Sequence, residues 1–319
     1  MDALKCPKCA AVYSKAEALR DGVRVVSGHQ AANGPRGFPP SDVEILRPQS
    51  PVWNGDAESL ALESRLRLFA IPSALLVALA FHSAPLGHFL QRTFLSMPVH
   101  ELGHAAAAWL SGFVAIPVVW KTMMFSESRG FAAPLLVSGS LIWIIIRGAR
   151  LRHPAEVGIG VSLLALQSIC TLLLPLHSAR ALIVFAGDGG AMIFAVLLMS
   201  SFYARRDSQL VIGWLRWGYL VIGAATFVDI FSTWWAACTD PDAIPFGENE
   251  GVALSDPSQL SDLHGWSAST IVGRYLLLGS ICLIVLGIIY VRGLLGKSRV
   301  GRYAESEDPG IDPSRRDHA

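Results

Sequence analysis

What most limits the folds open to this chain is the length of its apolar blocks. Seven of them, at about residues 68–86, 89–111, 132–146, 157–176, 181–203, 210–235 and 270–295, hold few of the charged residues, most of which lie in the terminal segments and between the blocks. A helix crosses the hydrocarbon of a bilayer in roughly 20 residues, and a water-soluble core has no use for so many blocks of about that length. The sequence therefore predicts an all-α multi-pass membrane protein of about seven transmembrane helices. It would be integral to a membrane, with the cell membrane as the expected location and the lipid bilayer as its surroundings. Of 319 residues, 52% are hydrophobic and 16% charged, which fits that class. A net charge of +1 with scattered basic residues gives no footprint for nucleic acid.

The rest of the chain divides around this membrane domain, read as residues 68–296. Residues 1–27 carry Cys6-Pro7-Lys8-Cys9, a C-x-x-C knuckle that is half of a zinc ribbon, with no fourth ligand to close it. Residues 28–67 are a Gly/Pro-containing linker and a polar approach, with no cleavable signal peptide, so targeting falls to the first span. Residues 297–319 are a charged tail with the composition of disorder. Cys170, Cys238 and Cys282 lie scattered and make no disulfide framework. Arg147, Arg150 and Arg152, then Arg205 and Arg206, then Lys297, Arg299 and Arg302 mark cytoplasmic ends by the positive-inside rule. The loop 238–269, with Asp240, Asp242, Glu248, Glu250, Asp256 and Asp262 and no Lys or Arg, then faces the other side. Counting back over seven spans puts the amino terminus outside, against Arg65 and Arg67, which point inside.

Within the second block lies His100-Glu101-Leu102-Gly103-His104, an H-E-x-x-H pattern. Residues four apart on a helix stand about 40° from each other around its axis, so His100 and His104 share a face and can reach one tetrahedral zinc ion. Glu101 stands about 100° round, beside that ion but poorly placed to bind it. It suits the general base that takes a proton from water, whose pKa zinc lowers to about 7. The competing reading is a pair of interfacial histidines with a snorkelling glutamate, but apolar sequence continues on both sides of the motif. Each ionised group costs about 2.5 kcal/mol or more at mid-membrane, so this density of them implies a use.

Other polar residues in the blocks are candidates to complete the site. Gly103 and Ala105 to Ala108 form a small-residue face that a neighbouring helix can approach closely. Gly187-Asp188-Gly189-Gly190 predicts an unwound or restarting helix, with the Asp188 carboxylate directed into the bundle as the best third ligand. Asp229, deeper in its block, is the alternative ligand, or it lines a cavity or bonds to another helix. His82 reads as an interfacial polar residue. The proline-broken stretch 113–131 is either a re-entrant strand or loop beside the site, able to hold an extended peptide, or an ordinary interfacial loop.

His100-Glu101-Leu102-Gly103-His104 followed by Gly187-Asp188-Gly189 in a later apolar block resembles the site-2 protease group of intramembrane zinc metalloproteases. The resemblance covers roughly residues 89–203. It implies zinc as cofactor, His100, His104 and Asp188 as ligands, Glu101 as base, and a transmembrane protein as substrate. The alternative expectation is a catalytically inactive metal-binding membrane protein that recognises or retains membrane partners. No oligomeric state follows from the sequence.

Overall fold

A computed structural model describes residues 54–125, 127–203, 215–249 and 253–306. The C-x-x-C knuckle and residues 307–319 lie outside them. The described residues are mostly helical, and six helices are long and apolar enough to cross a membrane, as expected of an integral membrane protein. These are α1 (Asn54–His82), α4 (Ala132–Arg150), α5 (Pro154–Ser168, with a π-helical turn at Ile169–Leu173), α6 (Leu176–Ser200), α7 (Leu215–Ala236) and α9 (Ala268–Ser306). The first begins within the stretch read as linker, and the last continues to Ser306.

The block expected as a second span is not among the six. It is a helical run in three parts: α2 (Pro85–Leu90), a π-helical turn at Gln91–Ser96, and α3 (Met97–Leu110). The π turn interrupts the run, and polar groups explain where it sits. Gln91 is buried and donates from Nε2 to the carbonyl of Ala225 at 2.7 Å, while Arg92 reaches Asp229. Met97 and Pro98 then open α3 where a proline needs no intrahelical donor.

After α3 the chain forms an antiparallel hairpin, β1 (Ala115–Val118) paired with β2 (Lys121–Met124) in the register Pro117 to Thr122. Its base is fastened by Arg129. The guanidinium donates to the carbonyl of Ser111 at the end of α3 and to those of Cys170 and Leu174 at the end of α5. These are helix-terminal carbonyls that intrahelical bonds leave unsatisfied.

The core gathers on α6 and α7. In their membrane-length windows 56% of residues are buried, against 17% for α4 and α5, whose Leu135, Leu136, Trp143 and Leu172 point outward. Met192, Met199, Phe227, Ile230, Trp234 and Tyr275 fill the space between α6, α7 and α9. A smaller cluster, including Ala105, Ala108, Ala179 and Ala186, lies between α3 and α6.

The break expected at Gly187-Asp188-Gly189-Gly190 is absent: α6 is helical throughout. The glycines thin the helix instead of ending it. A β-carbon on Gly103 would collide with the carbonyl of Ala186, and one on Gly190 would stand 2.9 Å from the Cα of Gly103. The two backbones therefore touch, which only hydrogen side chains permit.

Candidate metal centre

The crossing of α3 and α6 holds His100 and His104 in fixed tautomers. His104 Nδ1 lies 2.7 Å from the carbonyl oxygen of Ile183 on α6. A carbonyl oxygen only accepts, so Nδ1 carries a proton, and in the neutral ring the lone pair is on Nε2. His100 Nδ1 lies 2.9 Å from Asp188 Oδ1 in the same relation, which again leaves Nε2 to face the site. The two Nε2 atoms are 3.1 Å apart.

A third donor comes from the acidic loop. After α7 the chain forms a short hairpin, β3 (Glu248–Asn249) with β4 (Ala253–Leu254), and then α8 (Asp256–Asp262). Ser255 is the N-cap of α8, accepting at Oγ from the backbone N–H of Ser258, and Pro257 occupies the first turn. Leu260 is fully buried in the core and anchors the short helix. This seats Asp256 Oδ2 at 3.2 Å from His100 Nε2 and 3.1 Å from His104 Nε2. Burial alone would favour its neutral form, but the two imidazoles, when protonated, outweigh that and hold the Asp256 carboxyl well below the usual carboxylate range.

These three atoms fit a zinc-class ion. Donors on a tetrahedral zinc at about 2.0–2.1 Å from it stand about 3.3–3.4 Å from one another, close to the separations here. Asp256 Oδ2 is buried yet meets no hydrogen-bond geometry, so it lacks the partner that a buried carboxylate oxygen requires. The wall beside it is bare: a β-carbon on Gly187 would lie 2.6 Å from Asp256 Oδ2, His100 Cε1 and His104 Cε1 alike. Two imidazoles and a carboxylate are the donor set of many catalytic zinc sites.

Asp188, expected as the third ligand, does not join this convergence. Its Oδ1 is on His100 Nδ1, the nitrogen turned away, and its Oδ2 accepts from Trp234 Nε1 at 2.8 Å. Both oxygens are engaged because continuous α6 carries the side chain behind His100 rather than in front of it. Trp234, itself fully buried, stacks on Tyr275 with ring centroids 4.1 Å apart and so holds the carboxylate from α7. Asp229 also lies elsewhere, beside His82, His88 and Arg92.

Glu101 is buried and is not one of the three converging donors. The hydroxyl of Thr122 on β2 lies 2.7 Å from its Oε2 and 2.8 Å from its backbone oxygen, and can donate to either. Sequence reasoning missed Thr122, Trp234 and Asp256. For Asp256 the sequence does carry a helix-start signal in Ser255-Asp256-Pro257, but nothing that aims that helix at the histidines. In comparisons with known proteins, no family model, curated protein or solved structure matches the chain.

Proposed function

We propose that the chain is an intramembrane zinc metallopeptidase of the site-2 protease type, acting on transmembrane protein substrates. One observation carries the reading: two imidazole Nε2 atoms and a carboxylate oxygen converge at 3.1–3.2 Å, and the buried Asp256 Oδ2 among them meets no hydrogen-bond geometry. His100, His104 and Asp256 would hold the ion, with Asp256 taking the place that the sequence gives to Asp188. Zinc bound there supplies a Lewis acid and makes water a competent nucleophile at neutral pH.

The remaining chemistry belongs to the chain's own side chains. Asp188 and the Ile183 carbonyl hold the two imidazoles by their Nδ1 protons, which fixes ring orientation and strengthens the Nε2 donors. Glu101 accepts a proton at Oε2 from the attacking water and delivers it to the amide nitrogen as the peptide bond breaks. Thr122 keeps Oε2 in position for both transfers. The hairpin is re-entrant in this reading, and the run Pro85–Leu110 enters the membrane with it as a seventh element. Exposed Ile116, Val118, Trp120, Met123 and Phe125 suit an apolar setting, and an unpaired strand edge can hold a locally unwound substrate segment.

Glu101→Gln keeps the size of the side chain but cannot accept the proton. Zinc content should remain at the wild-type level, and accumulation of uncut membrane proteins should show cleavage reduced by about 10²-fold or more. If membrane proteomes of wild-type and Glu101→Gln cells show no substrate difference while the variant supports every wild-type phenotype, the chain is a metal-binding partner protein instead.

A further inference from the structure

A second group of metal-ligand type lies where α1, α2 and α7 meet. His82 is the last residue of α1, His88 lies on α2, and Asp229 is fully buried on α7. Asp229 Oδ1 is 3.1 Å from His88 Nε2 and 3.7 Å from His82 Nδ1, and these three atoms lie within 4.8 Å of one another. The rings of His82 and His88 meet edge to face with centroids 4.4 Å apart, which turns both nitrogens toward the same oxygen.

An ion pair between His88 and Asp229 does not account for this arrangement. His82 Nδ1 and Asp229 Oδ1 are both buried and meet no hydrogen-bond geometry. Leaving such atoms unsatisfied is unfavourable, since neither water nor protein replaces the lost partner. The other carboxylate oxygen is already engaged: Arg92 donates to Asp229 Oδ2 at 3.2 Å. That contact orients the carboxylate and leaves Oδ1 with its lone pairs toward the imidazoles, as an outer-shell partner does for a ligating carboxylate.

We propose that His82 Nδ1, His88 Nε2 and Asp229 Oδ1 form a second site for a zinc-class divalent ion, separate from His100, His104 and Asp256. Two imidazoles with one carboxylate favour zinc and its transition-metal neighbours over magnesium or calcium. Bound metal would tie the end of α1 and the short α2 to α7, joining parts of the chain far apart in sequence. The His88 side chain is 47% exposed, so an ion has a route in. The inference does not depend on peptidase activity.

Zinc per chain, measured by elemental analysis on the full chain in detergent after equilibration with zinc alone, tests it. The wild-type chain should hold about two ions, His100→Ala/His104→Ala about one, His82→Gln/His88→Gln about one, and the fourfold variant none. Circular dichroism and detergent size exclusion establish that each variant is folded. A wild-type chain with a single zinc that His100→Ala/His104→Ala removes overturns the proposal. So does a folded His82→Gln/His88→Gln chain that keeps the wild-type zinc content. If the peptidase centre is the mistaken assignment, one zinc survives His100→Ala/His104→Ala and leaves with His82→Gln/His88→Gln, which supports the second site alone. Should the double glutamine variant misfold, His88→Gln is measured by itself: loss of one ion supports the site, and full retention overturns it.

Discussion

Gly187→Ala adds one methyl group at the point where α6 faces the proposed metal centre. Its carbon would stand 2.6 Å from His100 Cε1, His104 Cε1 and Asp256 Oδ2. Carbon contacts are comfortable at about 3.5–4.0 Å, so each neighbour must retreat by about 1 Å. Metal sites tolerate departures of about ±0.2 Å in their bond lengths, and Cε1 is bonded directly to the ligating Nε2. Overpacking of this kind costs about 1–3 kcal/mol, and here it falls almost wholly on the ligand set, which converts to a loss of about 10- to 100-fold in zinc affinity. The helix itself should not suffer, since alanine is the better helix former by about 1 kcal/mol. The assay is competition with a chromophoric chelator in detergent, read on the zinc that His100→Ala/His104→Ala abolishes. Gly189→Ala is the control. The atoms nearest its carbon would be the ends of the Phe185 and Leu278 side chains, at 3.0–3.1 Å, and none of them belongs to the proposed ligand set. A folded Gly187→Ala chain with wild-type affinity at this site would refute the claim that the bare face of α6 forms its wall.

Three further substitutions test the supporting groups. Thr122→Val removes the donor to Glu101 Oε2, a bond to a carboxylate worth about 1.5–3 kcal/mol, so cleavage by reconstituted protein should fall about 10- to 100-fold with zinc content unchanged; unchanged cleavage would mean Glu101 is held by other groups. Asp188→Asn should weaken zinc binding by about 10- to 100-fold, as loss of an outer-shell partner does, while Asp256→Asn should weaken it further. The reverse order in zinc titrations would return the third ligand to Asp188. Gly103→Val sets side-chain atoms against the backbone carbonyl of Ala186, which cannot turn aside, so α3 and α6 must separate. Thermal stability and zinc content should fall together, and a wild-type melting profile would count against the close crossing.

His100, Glu101 and His104 were legible because their relation is local: a helix turns four residues into one face, and the sequence shows that spacing directly. Asp188 was legible as a buried acid near the histidines, but its contacts with His100 Nδ1 and Trp234 were not. The glycines around it fit both a broken helix and a helix pressed against another backbone, and only the contact with Gly103 decides between them. Asp256 could not be singled out from the other acids of its loop. Its place depends on Leu260 being drawn into the core and on Ser255 starting a helix at that point, both products of tertiary packing. The six membrane-length helices followed from block length, while the interrupted run before His100 did not, because its π turn answers to Ala225 and Asp229 on a helix far along the chain.

Glu101 is anchored from outside its own helix, and that changes what sets its position. A glutamate held only by α3 would keep station with His100 whatever happened around it. Here its Oε2 is tethered to Thr122, midway along a strand whose base is fastened by Arg129 and whose tip, Val119 and Trp120, is exposed. The hairpin is thus held at its base by Arg129 and at its tip by the bond from Trp120 Nε1 to the carbonyl of Thr93, with the carboxylate attached between the two. What holds Oε2 is Thr122 on that hairpin, while the imidazoles of His100 and His104 are held by Asp188 and Ile183 on α6. The proposed proton acceptor and the proposed metal ligands are therefore held by different parts of the fold, although they are neighbours in sequence.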